Sequence, residues 1–274
     1  MVLDRFDEPD AVPPLGKGAL RSARRLAQRK ARAETGQFLV EGVQAVREAL
    51  DRPGDVIRLI VDDPVSHAEL VAHALSAQIE VTRAPREVMG ALSDTVTSQG
   101  IIAVCRWRPA ELSKITAPRL VVICAQVRDP GNAGTVVRCA DAFGADLVVL
   151  TQGSVDITNP KTVRASVGSI FHLPIVTGMP LVDAIAWAHR HAMRVLAADA
   201  SGSALDEFGA GGGLDAPVAW LMGNEAWGLP SEEIALADQV VAVPMWGRAE
   251  SLNLSTAAAI CLYATASAQH RTGR

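Results

Sequence analysis

The chain has 274 residues, 49% of them apolar and 20% charged, with a formal net charge of −4. That balance excludes a chain disordered throughout, and no apolar run approaches the roughly 20 residues that cross a bilayer, so no membrane partner is expected. Four cysteines (Cys105, Cys124, Cys139 and Cys261) stand apart without CxxC spacing, which argues against a structural zinc site or a disulfide scaffold and for a reducing cytoplasm.

The start, MVLDRFDEPD, is acidic and unlike a signal peptide. Between Ala11 and Ala33 lie seven basic residues (Lys17, Arg21, Arg24, Arg25, Arg29, Lys30 and Arg32) and no acid. With Leu20, Leu26 and Ala27 interleaved, this segment predicts one basic helix over about residues 20–33, its clearest part Ser22 to Ala33. Such a helix can lie along a phosphate backbone, with Arg24, Arg25, Arg29 and Lys30 as contacts. Charge alone is explained equally well by a solvated helix face.

Next, FLVEG (38–42) predicts a strand leading into a helix that ends at Leu50. VIRLIVDD (56–63) leads into another ending near Leu75, and GIIAVC (100–105) closes the set. A boundary falls in RWRPAELSKITAPR (106–119), where two prolines and mixed charges interrupt the pattern. The expected domains are 1–108 and 119–274, with 109–118 as linker. Beyond it come LVVICAQV (120–127), DLVVLT (146–151), RVLAAD (194–199), PVAWLM (217–222) and QVVAVP (239–244). These runs are continuous rather than alternating, as expected of strands buried on both faces of a parallel sheet, with helices between most of them. GAGGG (209–213) reads as a flexible loop, with neither Rossmann nor Walker spacing. An α/β fold of two domains is predicted.

In open α/β sheets, ligands gather beyond the carboxyl ends of the strands. After the first long strand comes RDPGNAGTVVRCADAFGAD, where Pro130 and Gly131 make a turn and Asn132 is a candidate helix cap. The helix runs to about Phe143 and stops at Gly144. Its start suits an anion, and Arg138 reaches toward that end; the plainer reading is a cap and a surface arginine. After PVAWLM comes GNEAWGLP, in which two glycines permit close backbone approach, Glu225 stands at a strand end and Pro230 opens a helix. Trp227 reads as a packing residue. After QVVAVP comes MWGRAESLNLSTAAAICLYATASA, a loop leading to Ser251 and Asn253 and then a helix apolar nearly all round. Such a helix must be buried, under a chain crossing or against a second subunit.

The set NAGTVVR, GNEAWGL and VPMWGRAESLNLSTAAA, in this order, resembles the three motifs of the SpoU (TrmH-like) RNA ribose 2′-O-methyltransferases of the SPOUT superfamily, over about residues 120–267. RKARAETGQFLVEGVQAVREAL (29–50) with SQGIIAVC (98–105) resembles the small ribosomal-protein-like RNA-binding domain that often precedes it. The resemblance implies a parallel sheet whose tail is threaded into a trefoil knot, a homodimer, and S-adenosylmethionine as methyl donor without a metal. It places Arg138, Asn132, Glu225, Ser251 and Asn253 at catalytic motif positions. It puts Gly223, Val243 and Leu252 in the cofactor loops and a structured RNA, ribosomal rather than transfer RNA, on the basic segment. A non-catalytic RNA-binding or ribosome-assembly factor and a tRNA-modifying enzyme remain alternatives at this stage.

Methyl transfer from a sulfonium brings its own activation, so the protein must position the reactants and help remove a proton. The three motifs hold no histidine. Arginine is a poor base, since its pKa exceeds about 12. The preferred reading has Arg138 grip an RNA phosphate and stabilise the developing 2′-alkoxide, with Arg138 as direct base the second reading.

Overall fold

The computed structural model describes residues 12–93 and 98–273, so the acidic start lies outside the described residues. The chain divides into two compact units, one running to Arg108 and including Thr158–His172, the other comprising Pro109–Ile157 and Leu173–Arg274.

The first unit carries α1 (Lys17–Arg25), α2 (Arg29–Thr35), β1 (Gln37–Glu41), α3 (Val43–Leu50), β2 (Val56–Val61), α4 (Ala68–Ser76), β3 (Glu80–Arg83), α5 (Arg86–Leu92) and β4 (Ile101–Arg106). Its sheet has the order β1-β4-β2-β3, antiparallel except for β2 with β3. One core cluster gathers Ala23 and Leu26 with Leu39, Ile60, Met89, Leu92, Ile102 and Val104, which fixes the basic segment to the sheet. The inserted segment forms α7 (Pro160–Ser166) and a 3-10 turn (Ser169–Phe171), where Phe171 stacks on Phe38 with ring centroids 6.1 Å apart. Glu48 and His172 meet at 2.9 Å beside it.

The single basic helix expected from the sequence is two helices. Leu26 turns into the core, and the buried Arg32 guanidinium donates to the carbonyls of Leu26 and Ala27 at 2.9 Å each. Those carbonyls end α1, and Arg32 satisfies them, so this basic residue serves the fold rather than the surface. Arg24, Arg25, Arg29 and Lys30 remain exposed.

The second unit carries β5 (Leu120–Cys124), α6 (Pro130–Ala142), β6 (Leu147–Thr151), β7 (Ile175–Met179), α8 (Leu181–Arg190), β8 (Arg194–Ala204), α9 (Leu205–Ala210), β9 (Val218–Met222), α10 (Ser231–Ile234), β10 (Gln239–Ala242) and α11 (Leu254–Arg271). Its six strands, in the order β10-β8-β9-β5-β6-β7, are all parallel. Every residue of β5, β6 and β9 is buried, which is why their runs are apolar without alternation. On one face Val121, Ile123, Ala219 and Leu221 pack with Ala184, Ile185 and Trp187 of α8. On the other, α6 and α11 cover the sheet, with Trp220 Nε1 donating to Thr265 Oγ1 at 2.9 Å.

Two edge strands, β3 and β7, carry no long apolar run and are absent from the strands predicted by hydrophobicity. The first two residues of GAGGG complete α9, and only the rest is turn. α11 is buried along Ala258, Cys261, Leu262, Thr265 and Ala268, yet Tyr263 is 61% exposed and Ile260 also faces outward. Within one chain that stripe is left uncovered.

Candidate functional site

The carboxyl ends of β5, β9 and β10 point to the same edge of the parallel sheet, and the three loops that follow them meet there. After β5 the chain turns at Gln126, whose backbone is held in the left-handed region (φ +51°), and enters α6. Asp129, not Asn132, caps that helix: its Oδ1 accepts from Asn132 N–H at 2.8 Å, and Pro130 occupies the first helical position. Asn132 thus sits inside the first turn, which releases its side chain from capping. The helix ends where expected, with Gly144 just beyond it at φ +68°. Val136 and Val137 are buried, and Arg138 is exposed.

The loop after β9 is folded on itself. Asn224 and Gly228 exchange backbone hydrogen bonds at 2.8 and 2.9 Å. The buried Asn224 side chain donates to Gln126 O at 2.6 Å and accepts from Ala226 N–H at 2.8 Å, tying this loop to the one after β5. Gly223 allows that fold, because a Cβ there would lie 2.5 Å from the Gly228 carbonyl carbon. Glu225 then projects to the neighbouring loop. Its Oε2 accepts from Arg128 N–H at 3.1 Å and its Oε1 from Asp129 N–H at 3.0 Å.

Asn253 caps α11, its Oδ1 accepting from Ser255 N–H at 2.9 Å and Thr256 N–H at 3.4 Å. Its Nδ2 donates to Asn132 Oδ1 at 2.9 Å, and Asn132 Nδ2 donates to Glu225 Oε1 at 3.4 Å. Residues 121 positions apart in the chain are thereby joined in one line, Asn253 to Asn132 to Glu225.

Beside that line lies a cavity of about 460 Å³, lined in part by Asp199, Gly223, Glu225, Val243, Ser251 and Leu252. Ser251 lines it without belonging to the hydrogen-bonded line. Arg138 does neither within its own chain. Trp227, expected to pack, is 47% exposed, with the Arg128 guanidinium 4.8 Å from its ring centroid. Burial, with the Glu225 carboxylate adding to it, pushes the Cys124 thiol up to about 12, so Cys124 is no nucleophile near neutral pH. Asp129, Asn224 and Asp199 join the site only through the structure. An Asp-Pro pair before a helix signals the first. A lone asparagine between glycine and glutamate signals nothing so definite.

The family model described as SpoU rRNA Methylase family matches residues 119–263, and that of the MRM3-like substrate binding domain matches residues 18–103. The 23S rRNA (guanosine(2553)-2'-O)-methyltransferase RlmP of Bacillus subtilis is 34% identical over 88% of this chain and 92% of its own length. A 23S rRNA (uridine(2479)-2'-O)-methyltransferase of Streptomyces viridochromogenes is 30% identical, over 87% of this chain and 85% of its own. Among solved structures, an AdoMet-bound rRNA methyltransferase from Sinorhizobium meliloti superposes with a TM-score of 0.79 at 31% identity, covering 93% of this chain and 96% of that one. On these matches, together with three motif loops joined by hydrogen bonds beside one strand-end cavity, the chain belongs to the SpoU rRNA methylase family.

Proposed function

We propose that this protein transfers the methyl group of S-adenosylmethionine to a ribose 2′-hydroxyl of ribosomal RNA. The observation that carries the reading is the line Asn253–Asn132–Glu225, which joins three distant segments at the rim of the strand-end cavity. At about 460 Å³ the cavity is in the size range of small-molecule sites. Its lining suits a nucleoside with a charged tail. Met222, Val241, Val243, Leu252 and Leu254 offer apolar surface for a base, and Asp199, Glu225 and Glu250 offer carboxylates to cationic groups and hydroxyls. Gly223, Val243 and Leu252 are the residues we assign to holding the donor, with Ser251 shaping the mouth. When bound, the sulfonium supplies a methyl group that needs no further activation.

Glu225 holds the backbone of the loop after β5, and Asn132 and Asn253 hold that loop against the start of α11. Arg138 grips an RNA phosphate and stabilises the alkoxide that develops on the ribose, leaving proton acceptance to the phosphate or a water. Because Arg138 is exposed and lies outside the cavity of its own chain, a homodimer in which it serves the partner's cavity completes this reading. The outward stripe of α11 at Ile260 and Tyr263 is apolar surface that a second copy would cover. The knotted tail, the division into 1–108 and 119–274 with a linker at 109–118, and a cytoplasmic location belong to the same proposal. No helix among the described residues is long and apolar enough to cross a membrane. The choice of ribosomal RNA is supported by the activities named for the relatives.

Calorimetric titration of the wild type and of Arg138→Ala with S-adenosylmethionine, beside a methylation assay, tests the proposal. Arg138→Ala is expected to bind the donor as the wild type does while methylation falls by about 100-fold or more. Simultaneous loss of binding and activity would remove the chemical role.

A further inference from the structure

Strand β8 leaves the sheet and returns to it. Val240 of β10 pairs with Ala197 of β8, yet the next residue, Val241, pairs with Ser203, so residues 198–202 stand outside the β10 ladder. The ladder with β9 also ends at Ala197, opposite Leu221. The excursion is pinned where it rejoins, because Gly202 lies so close to β10 that a Cβ would stand 2.4 Å from the Val240 carbonyl carbon. Its effect is to carry Ala198, Asp199 and Ala200 into the wall of the strand-end cavity.

Asp199 is oriented there by its own turn. Its Oδ1 accepts from Ser201 N–H at 3.0 Å and from Ser201 Oγ–H at 2.7 Å, while its Oδ2 has no hydrogen bond among the described residues. A carboxylate fixed through one oxygen presents the other as an acceptor. In the sheet order, β9 lies between β8 and β5, so Asp199 stands on one flank of the β9 loop and Asn132 on the other.

We propose that Asp199 binds the vicinal ribose diol of the nucleoside donor, making it a binding residue of this chain that selects a ribonucleoside. A diol offers two O–H donors, which an acceptor-only carboxylate matches, whereas the apolar lining at Met222, Val241 and Leu252 offers the diol nothing. The inference rests on the donor site proposed above.

The test is calorimetric titration of the full chain with S-adenosylhomocysteine and with its 2′-deoxy and 3′-deoxy counterparts, using wild type, Asp199→Asn and Asp199→Ala. Wild type is expected to bind the parent compound about tenfold or more tightly than either deoxy compound, and Asp199→Ala to lose that preference by weakening on the parent alone. Equal affinity of the wild type for parent and deoxy compounds overturns the inference without recourse to any variant. So does an Asp199→Ala protein that melts like wild type and keeps the full preference. A wild type that binds none of the compounds overturns the donor site itself, and this inference with it, which separates the two failures.

Discussion

Glu225 is worth more to the backbone than to any ligand it could reach. Two N–H groups at the start of α6 find their acceptor in its carboxylate, and a third contact ties in Asn132. Glu225→Ala leaves those N–H groups to water or to nothing, at a cost of about 1–3 kcal/mol, so its denaturation midpoint should fall and methylation with it. An unchanged midpoint would mean that the loop is held by other bonds. At this scale the sequence was partly legible. Asn132, Glu225 and Asn253 stand out as polar residues at strand ends, and the structure brings all three together. Their arrangement was not legible, because Asp129 takes the cap for which Asn132 is also a candidate, and the displaced side chain becomes the link between loops. Asp199 ends the run RVLAAD (194–199), and nothing in that run shows that the chain leaves the ladder there and rejoins it at Ser203.

The two basic helices divide their charges between surface and fold. A groove of about 410 Å³ is lined by Lys17, Leu20, Arg21, Arg24, Arg25 and Gln28, and Arg29 is exposed next to Gln28 in the chain. Reversing Arg24, Arg25 and Arg29 to Glu should weaken RNA binding and flatten its salt dependence, by up to about three units of slope in a plot of log affinity against log salt. Arg32→Ala should behave oppositely, costing about 1–3 kcal/mol of stability through the unpaired carbonyls of Leu26 and Ala27 while leaving the salt slope unchanged. Denaturant unfolding and filter binding at several salt concentrations separate the two effects, and a common response of all four arginines would contradict the division. Charge spacing made the segment visible, but it could not reveal the break, since burial of Leu26 is a tertiary contact. The central strands were legible for the reason that the edge strands β3 and β7 were not. Every residue of β5, β6 and β9 is buried, while β3 and β7 are each partly open to solvent and lack a continuous apolar run.

Across the whole chain the thiols report how tightly both units are packed. Cys105, Cys124 and Cys261 are buried and Cys139 is half-buried. A thiol reagent near neutral pH should therefore modify Cys139 before the other three in the native protein, slowly because partial burial raises its thiol too, and all four only after unfolding; reaction of a second at the same rate would contradict the packing. Burial raises the Cys124 and Cys261 thiols from 9.0 to about 12. Their contribution to stability is complete below pH 9 and is lost as pH rises toward 12, because only the unfolded chain can release those protons. Alkaline unfolding should begin above pH 9 and be less steep in Cys124→Ala, and an unchanged pH profile in that variant would contradict the assignment. The α/β class and the parallel sheet followed from apolar runs alone. The attachment of Thr158–His172 to the first unit did not, because no local pattern in that segment names its distant partner Phe38. The most direct measurement is to incubate the full chain with methyl-labelled S-adenosylmethionine and 23S rRNA and digest the RNA to nucleosides. Label is expected in a 2′-O-methylnucleoside, and to disappear with Arg138→Ala; label on a base, or none from a protein that binds the donor, would contradict ribose methylation.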